Sequence, residues 1–147
     1  MRVSVQDAPF DFAGEAREFA AGRTDMGAIV TFSGIVRDTG DAPLLEMMIE
    51  HYPGMTERAI EAIAREAQAR WALGDVLVIH RHGRLTPGET IMMVATAARH
   101  RGDAFAAAEF LMDYLKSRAP FWKKERTAAG ADWVAARDED EAALTRW

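Results

Sequence analysis

The alternation of apolar and polar positions divides the chain into extended and helical stretches. Residues 27–36, GAIVTFSGIV, are β-branched and aromatic and bounded by glycine, which predicts a strand. Gly34 inside that run marks a bulge, or a place where another group comes close to the backbone. Residues 37–43, RDTGDAP, form a polar loop. A second strand follows over 44–52, with Leu45, Met47 and Ile49 on one face and Glu46 and Glu50 on the other. Beyond the Pro53-Gly54 turn, 56–71 is the clearest amphipathic helix. Its apolar face carries Ala59, Ile60, Ile63, Ala64 and Ala67, and Glu57, Arg58, Glu61, Arg65 and Glu66 cover the rest. Residues 75–82 and 90–98 predict two further strands, joined through the Pro87-Gly88 turn. Weaker patterns place an edge strand at 1–5, a short helix at 12–21, an extended piece at 132–135 and an acidic helical end after 137. Strands and helices mix without strict βαβ alternation. The class is therefore α+β, in a single domain spanning 1–147.

The stretch 97–126, AARHRGDAFAAAEFLMDYLKSRAPFWKKER, organises the rest. It reads as a helix flanked by cations. Asp103 is placed to cap its start, and Phe105, Phe110, Met112 and Leu115 supply apolar surface without forming one clean stripe. Pro120 forbids helical continuation, so the helix ends near Arg118. Between 116 and 126 stand five cations and one carboxylate, a net of +4. The chain as a whole is −5, so the remainder carries −9. A basic knot in an acidic protein points to an anionic ligand.

Composition narrows the classes. A 147-residue chain with 49% hydrophobic residues can build a core without covalent staples. No apolar run approaches the roughly 20 residues that span a bilayer, and MRVSVQDAPFDF lacks a secretory apolar segment, which predicts a cytoplasmic protein. The net negative charge argues against a general nucleic-acid binder. With no cysteine, there is no thiolate metal site, no disulfide and no cysteine nucleophile. His80 and His82 alternate on a strand and could share a face, but such a pair is ordinarily two polar positions; no metal and no cofactor are expected.

Three sets of residues could carry chemistry. Lys116, Arg118, Lys123 and Lys124 crowd positive charge, and crowding with partial burial lowers a lysine pKa into a useful range. The same cations could simply complement the negative end of a helix dipole. His100 and Arg101 stand at a helix start, where free N–H groups and a guanidinium favour phosphate. Arg37 directly follows the strand that contains Gly34. Phe121 and Trp122 beside lysines could stack on bases, but packing into the core is the better expectation. Together these residues indicate a small, plausibly phosphorylated anion.

The blocks VTFSGIVR (30–37), EHYPGMTE (50–57), VIHRHGRLTPGE (78–89), His100-Arg101, FLMDYLKSRAPFWKKE (110–125) and WVAAR (133–137) resemble, in this order, the large catalytic subunit of molybdopterin synthase. The resemblance implies an α/β-hammerhead fold with a mixed or antiparallel sheet and packed helices. It implies a sulfurtransferase that converts cyclic pyranopterin monophosphate (precursor Z) to molybdopterin. Two dithiolene sulfurs would arrive as a thiocarboxylate on the tail of a small ubiquitin-like subunit. A homodimer within a heterotetramer is implied as well. By position, Lys116 and Lys123 match the catalytic lysines. Arg37, His100 and Arg101 match the substrate pocket, with Lys124 and Glu125 beside Lys123, and with Phe32, Met112 and Arg137 nearby. The alternative from another class is a non-catalytic dimer that binds a phosphorylated ligand. Arg101 and Lys116 lie fifteen residues apart on one helix, about 22 Å along its axis. One small ligand is therefore not expected to touch both ends of one straight helix. The simpler solution is a two-fold dimer in which His100 and Arg101 of one protomer complete the lysine pocket of the other; the other route is a bend near Gly102 that folds the pair back.

Overall fold

The computed structural model describes residues 1–38, 40 and 42–147; the part of the polar loop at 39 and 41 lies outside the described residues. Two four-stranded sheets and two long helices make the frame. β1 (Arg2–Gln6), β4 (Asp75–Arg81), β6 (Thr90–Ala98) and β2 (Ala28–Ile35) form the first sheet in the order β1-β4-β6-β2. β1 runs parallel to β4, and the other pairs are antiparallel. β5 (Gly83–Leu85), β3 (Leu44–His51), β7 (Phe121–Thr127) and β8 (Gly130–Trp133) form the second, all antiparallel. The helices are α1 (Phe12–Ala20), α2 (Met55–Arg70), α3 (Arg101–Ser117) and α4 (Asp138–Ala143), the last followed by a 3-10 turn at Leu144–Arg146. The α+β expectation holds.

β4 and β6 are buried on both faces, which is why they read as near-continuous apolar runs rather than alternating ones. Val76, Val78 and Val94 face the main core, with Ile60, Ile63 and Ala67 of α2 and Ala104, Phe110 and Leu111 of α3. Leu77, Ile79, Met93 and Ala95 face the other way and pack on Phe19 of α1. Small residues on α3 allow close approach to the sheet. There the Thr96 hydroxyl donates to the Ala104 carbonyl at 2.8 Å, so a buried polar side chain is satisfied.

Several local expectations change. The register shifts between Leu44 and Glu46, which turns Leu44 into the core and leaves Leu45 exposed, against the predicted face. Asp103 does not cap α3; His100 occupies the N-cap, without a side-chain cap bond, and Asp103 sits in the first turn. Phe105 lies on the solvent face at 62% exposure, not in the core. β5 and β7 are strands that the periodicity of residues 83–85 and 121–127 does not reveal. Phe121 packs against the core as expected, but Trp122 is 42% exposed and meets Tyr52 edge to face.

Candidate functional site

A cavity of about 630 Å³ opens where the two sheets and the end of α3 converge. Its wall draws on seven segments: the end of β2 with Arg37, β3 at Met47, β4 at His80, β6 at Ile91 and Met92, the last turns of α3, β7, and the chain from Val134 to Asp140. Several are anchored by identifiable bonds. Val36 is buried, donates its N–H to the Glu89 carbonyl at 2.9 Å and accepts from Gly88 at 2.8 Å, which holds the backbone just before Arg37. The register of β2 slips at Gly34 and Ile35, and a Cβ at Gly34 would already touch Met92 at 3.4 Å. Of the two alternatives read at Gly34, the bulge is present; a side chain there would make only an ordinary contact with Met92.

The turn between α3 and β7 sets the spacing of the lysines. Arg118 and Ala119 close the helix onto the Tyr114 carbonyl at 2.7 and 3.1 Å. Pro120 then redirects the chain, and the fully buried Thr56 of α2 donates its hydroxyl to the Pro120 carbonyl at 3.1 Å. That bond ties the segment between Lys116 and Lys123 to the rigid core. On β7, side-chain alternation sorts the basic knot into two groups. Phe121, Lys123 and Glu125 line the cavity. Trp122, Lys124 and Arg126 are not among its lining residues: Lys124 lies 5.3 Å from the Trp133 ring centre, and Arg126 pairs with Glu46 at 3.1 Å.

Among the residues singled out from sequence, the fold thus brings Arg37, Lys116, Lys123 and Glu125 together, with Phe32, Met112 and Arg137. His100 and Arg101 stand exposed at the opposite end of α3 and do not line the cavity. Asp140 joins the wall from the start of α4, which the Ser117 hydroxyl tethers through the Asp140 carbonyl at 2.9 Å. Sequence reading missed Asp140, and nothing in the acidic run DEDE distinguishes it.

The cavity wall carries four cations (Arg37, Lys116, Lys123, Arg137) and two carboxylates (Glu125, Asp140), a net of +2. Burial pushes the Lys123 ammonium below its ordinary pKa, and the charge of Lys116 lowers it further; Asp140 and Glu125 oppose the shift. A lysine so placed can give and take protons nearer neutral pH than a solvated one. Apolar walls from Phe32, Ile91, Met92, Met112 and Leu115 complete a site suited to a flat organic body carrying an anionic group. His51 and His82 face each other with ring centres 4.1 Å apart. Among the described residues, no group of three or more metal-binding side chains is arranged around a common point. No described helix is long and apolar enough to cross a membrane.

Comparison with known proteins gives a consistent result. The family model described as "MoaE protein" matches residues 5–118. A "Molybdopterin synthase catalytic subunit" from Cereibacter sphaeroides is 72% identical over 147 residues, covering 100% of both chains. A solved structure of a molybdopterin biosynthesis MoaE protein from Burkholderia ambifaria is 52% identical, with a TM-score of 0.84 over 99% of this chain and 96% of the other. The fold also matches a complex of subunits 1 and 2 of a molybdopterin-converting factor from Helicobacter pylori. That match has 18% identity and a TM-score of 0.76, over 92% of this chain and 91% of the other.

Proposed function

The chain belongs to the MoaE protein family, and from that premise we propose that it is the catalytic subunit of a molybdopterin synthase. It acts in molybdenum cofactor biosynthesis by installing the dithiolene sulfurs on cyclic pyranopterin monophosphate. The observation that carries this reading is the meeting of Lys116 and Lys123 in one cationic cavity, with the Lys123 pKa lowered by burial. Arg37 and Arg137 supply charge for the substrate phosphate, and the lysines supply the proton transfers that accompany attack of sulfur on carbon. The chain has no thiol of its own, so sulfur comes from a partner. A small sulfur-carrier subunit, delivering a thiocarboxylate from its tail, fits that need, and the Helicobacter pylori relative was solved as a two-subunit complex. The non-catalytic alternative is set aside because the full-length 72% identical relative is named a catalytic subunit.

Two features support a site shared between two copies of the chain. β2 is an edge strand among the described residues, and Ile29, Phe32 and Ile35 on it are exposed. β2 is antiparallel to β6, and α3 follows directly after β6, so α3 runs back along β2 in the direction of β2. The start of α3 therefore lies near Gly27, where an added Cβ would meet the Arg99 carbonyl at 2.8 Å. The end of α3 lies near the cavity. A second copy laid antiparallel on β2 brings the start of its α3, with His100 and Arg101, towards Lys116 of the first. The decisive experiment is incubation of the purified chain with cyclic pyranopterin monophosphate and a thiocarboxylated small subunit. Dithiolene product is expected, and its absence refutes the assignment.

A further inference from the structure

His80 lines the cavity beside Lys123, yet the proton transfers assigned to the lysines do not use it. It sits on β4, an interior strand of the first sheet, and is only 5% exposed. One ring nitrogen, Nδ1, lies 2.8 Å from the Arg81 carbonyl oxygen. A carbonyl can only accept, so Nδ1 carries the hydrogen, and in the neutral ring Nε2 is a bare lone pair. Phe121 fixes the ring plane from one side, with ring centres 3.8 Å apart and planes 18° from parallel. Position, tautomer and orientation are all set before any ligand arrives.

Nε2 itself makes no hydrogen bond among the described residues. No buried side-chain nitrogen or oxygen there lacks a partner, so Nε2 is not sealed inside the core. It keeps some exposure, on a ring that lines the cavity. The ring also stays neutral. Desolvation, with the nearby charges of Lys123, His82 and His51, holds its pKa down to about 3. Among the described lining residues, Arg37, Lys116, Lys123 and Arg137 are donors only, and Glu125 and Asp140 are charged acceptors. His80 is the uncharged acceptor in that set. A phenylalanine would fill the same volume without the desolvation cost of a bare lone pair, so the retained nitrogen calls for a donor from the ligand.

We propose that His80 is a ligand-binding residue of this cavity, its Nε2 accepting a hydrogen bond from an N–H or O–H on the uncharged ring portion of the ligand while the cations hold the anionic portion. The assignment rests on reading the cavity as the pterin phosphate site, and it adds the group that recognises the ring rather than the charge. Phosphate alone is bound by the cations and is indifferent to His80. A ring with N–H donors is not.

The test compares equilibrium binding of cyclic pyranopterin monophosphate and of inorganic phosphate to the full chain and to its His80→Phe and His80→Gln variants. His80→Phe is expected to weaken the pterin phosphate by about tenfold or more, as for a site that loses one hydrogen bond to its ligand, and to leave phosphate affinity within about twofold. His80→Gln, which restores an acceptor near the Nε2 position, is expected to recover part of the loss. In wild-type protein labelled with nitrogen-15 at histidine, the His80 Nε2 resonance is that of an unprotonated nitrogen and is expected to move when the pterin phosphate saturates the site. If wild type binds the pterin phosphate and His80→Phe binds it equally well, the His80 assignment alone is overturned. If wild type binds none, the substrate reading fails and the assignment falls with it. Should His80→Phe not fold, the nitrogen resonance decides: no movement at saturation overturns the proposal.

Discussion

The shared site can be tested by mixing two inactive proteins. Lys116 and Arg101 lie near opposite ends of the 17-residue helix α3. Fifteen residues at about 1.5 Å each separate their backbones by about 22 Å. Lys116 lines the cavity and Arg101 does not. In a dimer joined antiparallel across β2, each cavity takes its lysine from one protomer and its Arg101 from the other. Lys116→Ala and Arg101→Ala homodimers are then both inactive. In the heterodimer, one cavity combines both lesions and the other draws both intact residues from different chains. Equal mixing with free exchange makes about half the dimers mixed, each with one working cavity of two, so activity returns to about a quarter of wild type per site. The assay is dithiolene formation with excess thiocarboxylated small subunit, alongside native mass spectrometry to count heterodimers. If heterodimers form in the expected proportion and activity stays at the level of the two parents, each protomer carries its own complete site and the shared-site geometry is wrong.

Three further outcomes are expected. Lys116→Ala and Lys123→Ala each lower product formation by at least about 100-fold, the scale of general acid–base catalysis, with little change in melting temperature; near-normal turnover in either removes that lysine from the mechanism. Lys116→Met takes away a positive charge that depresses the Lys123 pKa, so the Lys123 titration, followed by pH-dependent amine labelling, moves upward towards the ordinary lysine value; a downward or absent shift contradicts the coupling. Because burial holds the folded His80 pKa down to about 3 instead of 6.5, the unfolded chain binds a proton at pH 5 that the folded chain does not. This histidine therefore costs stability as pH falls through 6.5, on the order of 2 kcal/mol at pH 5. Urea unfolding of His80→Phe is expected to show a smaller loss between pH 7 and pH 5 than wild type, and equal losses would place the histidine elsewhere.

The class, most of the elements and the chemistry of the basic segment were legible in the residue pattern. Periodicity sufficed where one face is buried against one neighbour, as in α2, or where a β-branched run is buried on both sides, as in β4 and β6. Pro120 ended α3 where its ring forbids a helix. The blocks around Arg37, Lys116 and Lys123 were long enough to indicate the family. Which of those charges meet depends on long-range packing. Phe121–Thr127 shows no strand periodicity, and it becomes a strand because β3 and β8 satisfy its backbone from both sides. Once it is a strand, alternation sends Lys123 and Glu125 into the cavity, while neighbouring Lys124 goes to the Trp133 ring. A one-residue slip between Leu44 and Glu46 likewise exchanged the predicted core residue for its neighbour. His80 could be read from sequence only as half of a surface pair. Its role depends on a carbonyl that fixes its tautomer, a ring from the second sheet that fixes its plane, and a cavity that local pattern does not encode.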